Sequence, residues 1–126
     1  MNWRIIRLEL ASNKDFPRGS ASRAFLLRLP LAEDGSIDTA GVERDPLSAI
    51  VRRFWASEPD QFGRIFHDSE IWLLRLGASK DAATFRLGTE TFKLGQPVTI
   101  EAPDSSKLSF RVSSISPLGF LVASQP

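Results

Sequence analysis

Residues 45–67 read Asp45-Pro46-Leu47-Ser48-Ala49-Ile50-Val51-Arg52-Arg53-Phe54-Trp55-Ala56-Ser57-Glu58-Pro59-Asp60-Gln61-Phe62-Gly63-Arg64-Ile65-Phe66-His67. Whether they form a helix or a hairpin separates a mixed chain from an all-β one. Leu47, Ile50, Val51, Phe54 and Trp55 recur at helical spacing, and Asp45 before Pro46 has the form of an N-cap followed by a first-turn proline. Against the helix, the apolar positions are mostly β-branched or aromatic, Glu58-Pro59-Asp60-Gln61 is a turn, and Phe62–His67 looks extended. The hairpin is the preferred reading, and a helix over Leu47–Trp55 is the alternative.

On the N-terminal side, Ile6, Leu8 and Leu10 alternate with Arg7 and Glu9 as in a half-buried strand, although Trp3 and Ile5 break that phase. Asn13–Ser22 carries Pro17 and Gly19 and reads as a loop. Phe25, Leu27, Leu29 and Leu31 then alternate as a second strand, with Pro30 marking its end or an exposed edge. Asp34-Gly35 is a turn, and the polar segment up to Asp45-Pro46 reads as a long loop with one helical turn at most. On the C-terminal side, Ile71–Leu76 and Ala83–Leu87 are short strands ended by Gly77 and Gly88, and Thr91–Leu94 is a candidate third. Val98 and Ile100, the turn at Pro103-Asp104-Ser105-Ser106, and Leu108, Phe110 and Val112 make a second hairpin. The expectation is one all-β domain over residues 1–126, a small antiparallel barrel or sandwich of about eight short strands with at most one short helix.

Composition narrows the function classes. The 126 residues are 42% hydrophobic and 25% charged, ordinary for a folded domain. The absence of cysteine removes disulfides, thiolate catalysis and cysteine-based metal sites. Met1-Asn2-Trp3-Arg4 lacks the apolar core of a signal peptide, and no apolar run approaches the ~18 residues of a membrane helix, so a cytoplasmic, membrane-free protein is expected. A net charge of +1 creates no global field toward nucleic acid.

Chemistry-bearing motifs are sparse. His67 is the one histidine, near Asp68 and Glu70, and neither a G-x-S-x-G elbow nor a glycine-rich phosphate loop occurs. No catalytic residue, metal ligand or cofactor is assigned. The hairpin offers more. If Glu58 pairs with Gln61, Phe54 faces Ile65, Arg53 faces Phe66 and Trp55 faces Arg64. Ile50, Phe54 and Ile65 then form a core face, and Arg53, Trp55, Arg64 and Phe66 interleave cations with rings on a candidate binding surface. Intramolecular cation–π pairing explains the same pattern without a ligand.

Arg7-Leu8-Glu9-Leu10-Ala11, Asp15-Phe16-Pro17 with Gly19-Ser20, Val51-Arg52-Arg53-Phe54-Trp55, Phe85-Arg86-Leu87-Gly88 and Gly95 with Val98-Thr99-Ile100 resemble a family of short, uncharacterised proteobacterial proteins. The resemblance implies strand rather than helix for Val51–Trp55 and brings no activity or ligand with it. The expected function is a non-enzymatic binding or protein-interaction barrel. The alternatives are an OB-like nucleic-acid-binding barrel, disfavoured by the charge, and a hydrolase-like enzyme using carboxylates or His67. The apolar segment Leu118–Ala123 is expected to add a strand or to dock on a protein partner or second copy.

Overall fold

Alternation along each chain segment builds one continuous sheet. The computed structural model describes residues 2–117. Its strands are β1 (Trp3–Leu10), β2 (Ser20–Pro30), β3 (Ile50–Trp55), β4 (Gln61–Asp68), β5 (Ile71–Leu76), β6 (Ala83–Leu87), β7 (Pro97–Glu101) and β8 (Lys107–Pro117). Each pairs antiparallel with the next and β8 returns to β1, closing the barrel. This resolves barrel against sandwich. Eight strands in simple up-and-down order also correct the OB-like alternative, because that fold is a five-stranded Greek key.

Inward positions follow from burial and register. Ile6 and Leu8 face Leu27 and Phe25 across β1 and β2, and Ile65 faces Leu74 across β4 and β5; all are almost wholly buried. Phe25 lies edge-on to Phe85 and Phe110 at centroid distances of 5.6 and 5.3 Å. No polar or charged residue is buried among the described residues. The lumen is therefore filled with hydrocarbon, as is usual for eight strands, and a ligand seat must lie on the outer wall or at an end.

The helical signal at Asp45-Pro46 is real but short. A 3-10 turn covers Pro46–Ser48, with the Asp45 carboxylate accepting from the Ser48 hydroxyl at 2.7 Å. It stops because Ile50 and Val51 pair with Arg28 and Leu27 of β2, and Leu47, which a helix would bury, stays exposed. The preceding loop holds one helix, α1 (Thr39–Arg44), capped by Asp38, whose Oδ1 accepts from the Gly41 amide at 3.1 Å. Thr91–Leu94 is not a strand: Thr91 makes one isolated bridge to Ser36, and Phe92 turns into the core. None of the helices among the described residues could cross a membrane. Leu118–Ala123 lies outside the described residues.

The hairpin exists, but in another register. Arg53, not Glu58, faces Gln61, and the Ile65 amide donates to the Ala49 carbonyl at 2.9 Å, so Ala49 rather than Phe54 lies opposite Ile65. Proline is the physical reason. A two-residue hairpin turn at Pro59-Asp60 needs positive φ at its first central residue, which the pyrrolidine ring forbids. The connection widens instead, with Ser57 taking the left-handed conformation at φ 72° and the Glu58 amide donating to the Trp55 carbonyl. The offset is odd, so every β3 side chain changes face.

Candidate functional site

The register change divides the four residues of the expected binding surface between the two sides of the wall. Arg53 faces the buried Phe25 and points inward, as does Trp55 beside the core, whereas Arg64 and Phe66 alternate with the buried Ile65 and point out. The two pairs do not form one surface.

Arg53 and Trp55 close one barrel end. The Arg53 side chain is only 14% exposed, and its guanidinium lies 4.3 Å from the Trp55 ring centroid and 6.0 Å from that of Phe85. Its Nη1 donates to Glu58 Oε1 at 3.2 Å and Gln61 Oε1 at 3.0 Å. Arg23 stacks on Phe16 nearby at 4.2 Å. These cations already have rings and, for Arg53, a carboxylate, so the cluster is a plug. His67 is likewise occupied, stacked on Trp72 with centroids 4.3 Å apart and planes 13° from parallel. Among the described residues no three His, Asp or Glu side chains converge to hold a metal ion.

The outer wall of β1–β5 is different. One lateral row runs Ile5, Arg28, Ile50, Arg64, Arg75, each directly opposite the next on neighbouring strands. At the usual strand spacing it crosses about 19 Å of wall. The next row runs Arg7, Leu26, Arg52, Phe62. Apart from Arg7, these residues line a groove of about 740 Å³, with Gly77 and Ala78 at its far edge. That volume lies within the ~300–1,000 Å³ range of small-ligand pockets.

Its floor is apolar. Ile5 is 6% exposed although it points out, because neighbouring side chains lie over it, and this is why Trp3 and Ile5 break the alternation of β1. Phe62 stands at the rim, 61% exposed. β4 and β5 approach closely at Gly63, where an added Cβ would sit on the Arg75 carbonyl of β5. Glycine there lets β4 approach β5 and brings Arg64 beside Arg75.

The arginines fall into two groups. Arg7 Nε reaches Glu9 Oε2 and Arg52 Nη2 reaches Asp60 Oδ2, both at 2.7 Å, and both guanidinium groups lie over the Phe54 ring. Arg28, Arg64 and Arg75 make no ion pair among the described residues. Arg28 Nε is buried without a hydrogen-bond partner among the described residues, and its guanidinium lies 5.6 Å from the Trp3 ring centroid. Arg75 Nη2 donates to the Ser79 carbonyl at 2.8 Å, which anchors it at the groove edge.

Of the residues around this groove, sequence reasoning singles out Arg64 and passes over Arg28, Ile5, Leu26, Arg52 and Arg75. Two signals could have found them: the broken phase at Ile5 and the incompatibility of Pro59 with a two-residue turn. Comparison with known proteins gives no match: no family model, no curated protein and no solved structure matches the chain.

Proposed function

We propose that this barrel is a non-enzymatic binding protein whose seat is the outer-wall groove, and that its ligand is an anion with an apolar body. The observation that carries the reading is the set Arg28, Arg64 and Arg75, three guanidinium groups without carboxylate partners among the described residues, around the apolar floor of Ile5, Leu26 and Ile50. Guanidinium groups bind carboxylates, sulfates and phosphates through charge-assisted, often bidentate hydrogen bonds, while the floor buries hydrocarbon. A binding rather than catalytic role is supported by the lining itself. All its ionisable side chains are arginines, which stay protonated and so cannot exchange protons with a ligand.

The test is a titration of isotopically labelled protein with decanoate below its micelle concentration, followed by backbone amide shifts. Saturable shifts confined to β1–β5 and residues 77–78 are expected. Removing the charge-assisted contact to the carboxylate, worth about 1.5 kcal/mol or more, makes the double variant Arg64→Gln, Arg75→Gln bind at least about tenfold more weakly. Shifts that are absent, non-saturable or scattered around the barrel would exclude the groove as a seat.

A further inference from the structure

The lateral row contains an arrangement that a general anion seat does not need. Arg64 and Arg75 lie directly opposite one another on β4 and β5, on the outer face, with no carboxylate paired to either among the described residues. Like charges in that relation repel, and the usual remedy, an acid on the adjoining position, is missing: the neighbour on one side is Ile50 and on the other Thr84. A monoanion neutralises one of the two cations and leaves the other. A dianion neutralises both and offers enough oxygens for two guanidinium forks.

Resting on the groove reading above, we infer that the ligand carries a phosphate monoester held between Arg64 and Arg75, with its apolar body lying over Ile50 toward Ile5 and Leu26. The Arg75 contact with Ser79 keeps one fork at the edge, so the head enters there. Arg28, one strand beyond Ile50, flanks the body and provides a further cation along its path. The ligand is a single dissolved molecule rather than a lipid in a bilayer. Of the floor, Ile50 is exposed but Ile5 at its far end is buried, so a flat surface reaches the Arg64 end of the floor and not its whole length.

The experiment compares three soluble ligands sharing one tail, octyl phosphate, octyl sulfate and octanoate, by isothermal titration at pH 8. A phosphate monoester is then dianionic, its second pKa being about 6. Octyl phosphate is expected to bind at least about tenfold more tightly than either monoanion. Arg64→Gln and Arg75→Gln should each remove that preference while leaving weak binding of the monoanions, and Lys14→Gln, an exposed change away from the groove, should alter nothing. Equal affinities for all three overturn the phosphate assignment while the groove reading stands. No binding by any overturns both. Binding to phosphatidylcholine vesicles containing phosphatidic acid, without binding to octyl phosphate, overturns the assignment to a dissolved ligand. Circular dichroism of each variant checks the fold, and if one arginine variant unfolds, the other decides.

Discussion

Replacing Gly63 by alanine tests the close approach of β4 and β5 beside the groove. In an ordinary strand the change stabilises by roughly 0.5–1 kcal/mol, because glycine has more backbone freedom to lose on folding. Here the new methyl group meets the Arg75 carbonyl, with the Leu76 Cα beside it, and both are backbone atoms that cannot rotate aside. β4 must therefore move away from β5. Overpacking of this kind costs about 1–3 kcal/mol, and the Gly77 amide to Phe62 carbonyl hydrogen bond of 2.8 Å, adjacent to the clash, is worth about 1 kcal/mol more. A net loss of about 2 kcal/mol is expected, seen in urea denaturation as a lower midpoint at unchanged slope and in calorimetry as a melting temperature about 8 °C lower. A Gly63→Ala variant as stable as the parent would refute the close approach, and with it the adjacency of Arg64 and Arg75.

Arg53→Ala should cost about 2 kcal/mol, from the stack on Trp55 and the hydrogen bonds to Glu58 and Gln61, and should red-shift tryptophan emission as the plug opens; unchanged emission would contradict the inward side chain. Asp34 and Asp104 accept from the hydroxyl and amide of Ser36 and Ser106, which holds both carboxyls below the usual aspartate range. Each therefore adds stability that is present above the ordinary aspartate pKa and lost as pH falls through the lowered one; carboxyl-carbon titration by NMR should show both midpoints rising toward the ordinary value in Ser36→Ala and Ser106→Ala. Arg64→Gln should leave the melting temperature unchanged or raise it, since it removes a like-charge pair worth a few tenths of a kcal/mol to 1 kcal/mol; a clear loss of stability would mean that the pair is structural.

What the sequence made legible was whatever depends on a side chain's own chemistry and its near neighbours. β5 and β6 have the bounds their apolar runs announce, Asp34-Gly35 turns with Gly35 at φ 87°, and β8 follows the alternation of Leu108, Phe110 and Val112. Aromatic and β-branched residues correctly outweighed the helical spacing at Ile50–Trp55, because a strand there is extended by β2 on one side and β4 on the other. The groove was not legible, since its rows join residues from five strands and exist only once the registers are set. One wrong turn length was enough to move Ile50 from the outer wall to the core on paper and Arg53 in the opposite direction.

The outer wall could be explained without a ligand if all its arginines behaved like Arg7 and Arg52. Those two shield apolar surface with their stems, stack on Phe54 and end on a carboxylate, so stability accounts for them in full. Arg28, Arg64 and Arg75 sit on the same wall and lack that termination among the described residues. In a chain with fifteen acidic residues against sixteen basic ones, a carboxylate beside Arg64 would have been easy to supply. Instead the row sets two cations face to face and leaves a buried Nε on a third without a partner. Each feature costs folding free energy, the repulsion about 0.2–1 kcal/mol and the unpaired donor about 1–3 kcal/mol. An anion in the groove would reverse the first and could satisfy the second. The unpartnered Nε is shared with Arg53 in the plug, whereas the like-charge pair is a cost that packing alone leaves without a return and a binding seat accounts for.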